Sequence, residues 1–337
     1  MKKLFFLLCT AFLCWSLYTY KKGIPTALSK RSFDHALGTR ALGRRFVLHR
    51  KIDRTLYTKA RGLIDQRLDA WKAHKKTAIP KIIHQIWPID GPIPDELARA
   101  SIVTRAHHKD FEYKLWTPDM FEKMLTSLLE DEWRELSPQV IRDLAAAAIL
   151  WQHGGVVVDL ETECVQTLSP LLKLADCIIG FEPPLDNRSY QRRLVLSPSL
   201  IATEPTQPII QSWLTEMITR IKRGTKEQKE KHLWICQDAL NSVVSKPKQK
   251  LGKALFVSPA FFCPISPGHI QGFTQNLDGI KKTSLVRRIL QALCIIDPPP
   301  FSQISRETIG VHMSGGRESK FSLLANANTE SETENQA

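Results

Sequence analysis

The chain has 337 residues, of which 43% are hydrophobic and 24% are charged, values that are typical of a globular protein. Its 7 cysteines form no C-x-x-C pair and no zinc-ligand spacing, so the sequence predicts no disulfide framework. The net charge of +13 belongs to the first 78 residues, which carry 18 Lys and Arg against 4 Asp, while the rest of the chain is nearly neutral. The high pI therefore indicates nothing about the larger, later part of the chain.

The chain begins with an apolar segment between lysine pairs. Residues 4–20 are apolar or aromatic except for Thr10, Ser16 and Thr19, and the aromatic end is typical of a membrane interface. We expect residues 1–22 to be an uncleaved single-pass membrane anchor, although the span is at the short limit. A cleaved signal peptide is the alternative, but no A-x-A cleavage site follows.

A basic segment of residues 23–78 follows the apolar one. The sequence predicts a helical stem, either a solvated spacer or a segment in contact with anionic lipid headgroups. It has few aromatic residues and no recognised nucleic-acid-binding motif, so we expect no nucleic-acid partner.

Strands and helices alternate from residue 79 onward, which predicts an α/β domain over 79–320 with a largely parallel sheet, followed by a disordered polar tail at 321–337. The predicted strands are 81–87, 111–116, 156–159, 177–181 and 199–202, and the predicted helices are 94–105, 118–129, 138–153 and 208–223.

The most informative segment lies at residues 143–164. A helix with Ser137 as N-cap and Pro138 as first residue ends at a glycine pair, and a run of valines then predicts a buried strand. Asp159 and Glu161 follow this strand two residues apart, so in an extended segment both carboxylates point to the same side. Two hard oxygen ligands at the carboxyl end of a buried strand predict a site for Mg²⁺ or Mn²⁺.

This segment resembles the sugar-binding region of the glycosyltransferase family with a D-x-D motif. That family includes yeast-type initiating mannosyltransferases and, more distantly, the clostridial glucosylating toxins. A second resemblance, at 79–87 and 113–117, corresponds to the family's first two strands, and the likeness extends over roughly 79–265. The matching positions in the first segment are Asp143, Leu150, Gly154, Gly155, Asp159, Glu163 and Cys164.

The resemblance implies a GT-A-type, Rossmann-like nucleotide-sugar-binding fold. It also implies a metal-dependent, retaining transferase that moves a hexose from a nucleotide sugar to a glycan, lipid-linked saccharide or protein, without a dedicated protein base. A lumenal or exported domain is implied as well, whereas the lysines after the apolar segment favour a cytoplasmic one, so the side of the membrane stays open.

The resemblance also assigns roles to individual residues. It places Asp159 and Glu161 at the metal and the donor, and His312 near the metal. Asp143 would hydrogen-bond the hydroxyls of the donor sugar, or else only complement the helix dipole. Trp87 would stack on the nucleotide base or pack in the core. His84 is expected to be structural, and Gly154 and Gly155 to form a tight turn.

Four positions depart from the family pattern. Glu161 replaces an aspartate, Ala146 an arginine, and Ala147 and Val157 each a tyrosine. Three donor-facing polar groups are therefore absent together. This leaves two alternatives: a catalytically degenerate relative that binds a saccharide or a protein partner, and an effector-type enzyme that glycosylates a protein side chain.

Overall fold

The computed structural model describes residues 33, 51–72, 79–164, 166–182, 194–229, 231–246, 249, 251–258 and 310–312. The predicted anchor at 1–22 and the predicted tail at 321–337 lie outside these ranges. Within them, no helix is both long and apolar enough to cross a membrane.

A mixed six-stranded sheet forms the centre of the molecule. Its strands, in spatial order, are β2 (Glu112–Trp116), β1 (Ile82–Ile86), β3 (Gly155–Val158), β6 (Leu196–Thr203), β5 (Cys177–Phe181) and β7 (Ala254–Val257). The pairs β1–β2, β1–β3 and β5–β7 are parallel. β6 is antiparallel to both of its neighbours. The predicted α/β class is confirmed, with a sheet that is rich in parallel pairs but mixed.

Helices pack around this sheet. They are α1 (Lys51–Lys72), α2 (Asp95–His107), α3 (Pro118–Leu129), α4 (Pro138–His153), α5 (Ser169–Leu172), α6 (Pro208–Arg223), α7 (Lys226–Lys229) and α8 (Asp238–Ser245), with a 3₁₀ turn at Glu132–Glu135 and a π-helical turn at Leu233–Gln237. The predicted bounds of α3, α4 and α6 agree with the structure. Each of the three begins with a proline at its first position, where a missing N–H costs no hydrogen bond.

The strand β3 is buried on both faces. Val157 belongs to the larger hydrophobic cluster, which also contains α4 and α6, whereas Val156 and Val158 belong to the cluster on the other side of the sheet. The helix α4 is itself buried at every residue from Gln139 to Leu150. The carboxyl end of β3 is therefore held between two packed layers.

The helix α1 lies in the predicted stem but belongs to the main core. Leu56, Ala60 and Ile64 are each only 1% exposed and lie in the larger cluster. Lys59 Nζ donates to the carbonyl oxygens of Val244 and Lys246, at 2.8 Å each, at the end of α8. This part of the stem is thus packed on the domain and is not a solvated spacer.

The glycine pair forms the predicted tight turn between α4 and β3. Gly155 has φ +92°, and a Cβ there would lie 2.7 Å from Nε2 of His84 and 2.8 Å from the carbonyl oxygen of Ile82. His84 is fully buried, with Nε2 2.9 Å from the Gly154 carbonyl oxygen and Nδ1 accepting the Trp116 indole N–H at 3.0 Å. His84 is therefore a hydrogen-bonded structural residue, as expected.

Replacing Gly155 with alanine is expected to lower the free energy of unfolding by about 3 kcal/mol, because the new methyl group meets His84 on a backbone that disfavours a side chain. Urea denaturation of the wild type and the variant measures the difference. Gly62→Ala is the matched control, since Gly62 is an exposed position of α1 with nothing within 4 Å of the added Cβ. It should be neutral or stabilising. Equal effects of the two substitutions would contradict the prediction.

Candidate functional site

The two carboxylates of the motif lie in a buried turn just after β3. Asp159 and Glu161 are 3% and 2% exposed. The Thr162 N–H donates to the Asp159 carbonyl oxygen at 2.8 Å, and the Glu161 N–H donates to Asp159 Oδ1 at 3.1 Å. Leu160 packs with Trp87 in a small apolar cluster and anchors the turn. The segment is thus a tight turn, not the extended one that the two-residue spacing suggested.

Arg142 joins the acids of α4 and of the turn. Its Nε and Nη2 donate to Oδ1 of Asp143 at 2.9 and 2.7 Å, and its Nη1 donates to Oδ2 of Asp159. The side chain of Arg142 is 10% exposed, and those of Asp143 and Asp159 are 1% and 2% exposed. One guanidinium therefore fixes both predicted donor-binding acids relative to each other.

The charges at this site are mutually stabilising. Burial opposes a charge on Arg142, but Asp143 and Asp159 outweigh it and raise the pKa of the guanidinium, with a smaller contribution from Glu161. Burial likewise acts to raise the pKa of Asp143, but Arg142 and His232 together bring that pKa below its ordinary value. Both groups therefore remain charged at neutral pH.

The second oxygen of Asp143 faces the segment that follows α7. Oδ2 lies 2.9 Å from Nε2 of His232. Cys236, one helical turn further on, is fully buried, and its thiol lies with these two groups in one cluster. Burial, and then the negative charge of Asp143, raise the pKa of the Cys236 thiol well above its ordinary value. This cysteine is therefore a thiol and not a nucleophilic thiolate.

Trp87 directly follows β1 and is a core residue. It is 3% exposed, packs with Leu97 and Leu160, and donates its indole N–H to the carbonyl oxygen of Gly91 at 3.0 Å. Trp87 was expected either to stack on the nucleotide base or to pack in the core. In the structure it packs in the core, against Leu160 of the motif turn.

The backbone of His312 lies beside the motif. The strand β4 (Thr162–Cys164) pairs antiparallel with β8 (Gly310–His312), and Thr162 is opposite His312. About 150 residues of sequence separate the two strands, yet His312 is next to the residue that follows Glu161. The side chain of His312 lies outside the described part of the structure.

The three positions that lack the family's polar groups are apolar core. Ala146, Ala147 and Val157 are at most 4% exposed and lie in the larger cluster. Ala146 is one helical turn after Arg142, so the two residues share a face of α4.

Sequence reasoning missed Arg142, His232 and Cys236. Arg142 carried a signal, because a charge inside an otherwise apolar helix must find a partner when that helix is buried. His232 carried none, since it is 89 residues away from Asp143.

Comparison with known proteins yields relatives that match over part of their length. The chain is 33% identical over 106 residues to inositol phosphoceramide mannosyltransferase 3 of Schizosaccharomyces pombe, covering 30% of this chain and 29% of that protein. It is 34% identical over 100 residues to a mannosyl phosphorylinositol ceramide synthase of Saccharomyces cerevisiae, covering 28% and 26%. These names confirm the resemblance drawn from the sequence, although the matches span less than a third of either relative. No protein-family model matches the chain.

Solved structures that align with this chain include two glycosyltransferases. The PaToxG glycosyltransferase aligns with a TM-score of 0.38 at 14% identity, over 76% of this chain and 96% of that one. The galactosyltransferase LgtC, in complex with donor and acceptor sugar analogues, aligns with a TM-score of 0.35 at 13% identity, over 73% and 95%.

Proposed function

We propose that this chain is a glycosyltransferase of GT-A type that transfers a hexose from a nucleotide sugar. The observation that carries the proposal is the network of Asp143, Arg142 and Asp159 at the carboxyl end of β3, the edge where α/β sheets bind ligands. The names of the relatives support the same class.

The residues of the site have distinct tasks in this proposal. Asp143 is assigned to accept a hydrogen bond from a hydroxyl group of the donor sugar through Oδ2, since Oδ1 already accepts two hydrogen bonds from Arg142. Arg142 positions Asp143 and Asp159. It lies one helical turn before Ala146 on α4 and provides the guanidinium group that is missing at position 146. Configuration at the transferred sugar is retained, and no protein base is assigned.

A divalent cation fits the chemistry of this site. Asp159 and Glu161 offer carboxylate oxygens, which Mg²⁺ and Mn²⁺ prefer. Asp143, Asp159 and Glu161 bring three carboxyl groups close to Arg142 at one end of β3. Asp159 and Glu161 would hold the ion, with His312 as a further ligand. When bound, it would act as a Lewis acid that neutralises the diphosphate leaving group.

The relatives' names suggest the first acceptor to test. Both refer to mannosyl transfer to an inositol phosphoceramide. We therefore propose a lipid-linked acceptor at a membrane surface, ahead of the glycan and protein acceptors, with residues 1–22 as the anchor.

Purified protein is expected to hydrolyse at least one nucleotide sugar, or to transfer its hexose, in a panel of UDP- and GDP-hexoses with Mn²⁺ or Mg²⁺. The Asp159→Asn variant should lower this rate at least about 100-fold, because it removes a charge at the donor site. Product formation is followed by mass spectrometry, with inositol phosphoceramide as acceptor. Asp110→Asn is the matched control, since Asp110 is an exposed residue two positions before β2, paired with Lys81. It should leave the rate unchanged.

A second candidate function is saccharide or partner binding without turnover. The apolar, buried positions Ala146, Ala147 and Val157 favour it, because three donor contacts of the family are replaced by core packing. Nucleotide-sugar binding by calorimetry without any product over the whole panel would support this candidate and contradict the first. Absence of both binding and product would contradict the transferase and the saccharide-binding candidate.

A further inference from the structure

A group of potential metal ligands lies on the side of Asp143 that faces away from Arg142. Arg142 contacts Oδ1 of this carboxylate, whereas Oδ2 faces His232. The carboxylate oxygen, His232 and Cys236 each offer one ligand atom, and all three atoms lie within 4.8 Å of one another. The His232 nitrogen and the Asp143 oxygen are 2.9 Å apart. Ligand atoms of a tetrahedral zinc ion are about 3.5 Å apart, so shifts of about 1 Å would form the site.

The segment that carries His232 and Cys236 is held in place by α6. The Trp213 indole N–H donates to the carbonyl oxygen of Cys236 at 3.0 Å. Arg220 donates to the carbonyl oxygen of Trp234 and stacks on its ring at 5.2 Å. This stretch forms the π-helical turn, a conformation that is frequent at functional sites. The backbone that carries Cys236 is therefore held by α6 before any ligand binds.

The types of ligand atom select the ion. A sulfur, an imidazole nitrogen and one carboxylate oxygen are typical of zinc, whereas Mg²⁺ and Mn²⁺ prefer oxygen ligands. The side chain of His232 is 24% exposed, which leaves a path for the ion and for a water molecule in the fourth position.

We propose that Asp143, His232 and Cys236 bind a zinc ion that joins α4 to the turn at 233–237. On binding, the Cys236 thiol loses its proton to solvent and the thiolate ligates the metal. His232 ligates through Nε2 as the neutral imidazole, with its proton on Nδ1. This site shares Asp143 with the proposed donor-binding site, but it differs in its other ligands and in its ion from the cation site proposed at Asp159 and Glu161.

Cobalt provides the test, because a cobalt–thiolate bond absorbs in the near ultraviolet and cobalt binds to zinc sites. Metal-depleted full-length protein is titrated with Co²⁺ and then with Zn²⁺. We expect a thiolate-to-cobalt band that saturates at one equivalent and disappears as Zn²⁺ displaces the cobalt. Cys236→Ser should lack the band, and His232→Ala should weaken binding at least 10-fold.

Cys177→Ser is the matched control, because Cys177 is also a buried free cysteine but lies on β5 and outside the cluster. It should keep the band. Absence of the band in the wild type, or its persistence in Cys236→Ser, would overturn the proposal. Because the measurement follows metal binding and not sugar transfer, its failure is distinguishable from failure of the proposed function.

Discussion

Replacing Arg142 with methionine is expected to lower the free energy of unfolding by about 3 to 5 kcal/mol. The substitution keeps most of the side-chain volume but removes a buried cationic partner of Asp159 and the guanidinium that donates twice to Asp143. Removing the cation of a buried ion-pair network leaves the remaining carboxylates desolvated and less well compensated, and this accounts for the large cost. Urea denaturation at neutral pH, with the slope of the transition compared between variants, measures it.

Arg134→Met is the matched control for this effect. Arg134 also contacts two acids, Glu122 and Asp131, but its side chain is 50% exposed, and so the pairs are screened by solvent. The control should shift the transition far less than Arg142→Met. A similar, small shift in both variants would show that the guanidinium of Arg142 is not buried between the two acids.

Arg142→Lys separates the effect of the positive charge from the effect of the guanidinium geometry. Lysine keeps the charge but offers a single ammonium group, which cannot reproduce donation to both carboxylates from a planar fork. Its stability should lie between that of the wild type and that of Arg142→Met. If the proposed function is correct, transfer should fall more than stability does, because the relative positions of Asp143 and Asp159 are then no longer fixed.

Local signals in the sequence were sufficient to predict much of the fold. α4 begins at Pro138 and ends before Gly154, and α6 begins at Pro208, because proline and glycine act within a single turn. The antiparallel direction of β6 was not predictable in this way. Alternating strands and helices suggest parallel pairing, whereas β6 pairs antiparallel with both β3 and β5.

The site could be predicted only in part, for a similar reason. The motif identified Asp143 and Asp159, because their spacing to the glycine pair is local. The charge balance depends on Arg142, which bridges two elements, and on His232, which approaches from a distant segment. Alanine at position 146, in place of the family's arginine, suggested that a guanidinium group was missing from the site. The sequence did not show that Arg142, one turn earlier, contacts Asp143 and Asp159. Tertiary contacts of this kind have no periodicity that a sequence pattern could reveal.

The free energy of unfolding is expected to rise by about 3 kcal/mol between pH 4 and pH 6.5 through the titration of His84 alone. Burial, with a smaller contribution from His153 and Lys114, lowers the pKa of His84 from 6.5 to about 4. Within this window the unfolded chain binds one more proton than the folded chain, so the free energy of unfolding increases with pH. The gap between the two pKa values, at about 1.4 kcal/mol per pH unit, sets the magnitude.

The direction follows from the hydrogen bonds of the neutral ring. Nδ1 accepts the Trp116 N–H at 3.0 Å, which leaves the Nε2 proton to be donated to the Gly154 carbonyl oxygen at 2.9 Å. A second proton would have to sit on Nδ1, where it would face the indole N–H and cost the folded state that bond. The stabilising contribution is therefore complete above pH 6.5 and is lost as the pH falls towards 4.

Urea denaturation at half-unit steps from pH 4.5 to pH 7.5 measures this slope. His84→Gln should be less stable at pH 7 but should lose most of the pH dependence, because an amide donates and accepts hydrogen bonds without titrating. His153→Gln is the control: His153 lies beside the same tryptophan ring, and burial lowers its pKa too, but it is less enclosed. It should retain most of the slope. An unchanged slope in His84→Gln would assign the pH dependence to other groups and would contradict the neutral, doubly hydrogen-bonded state of His84.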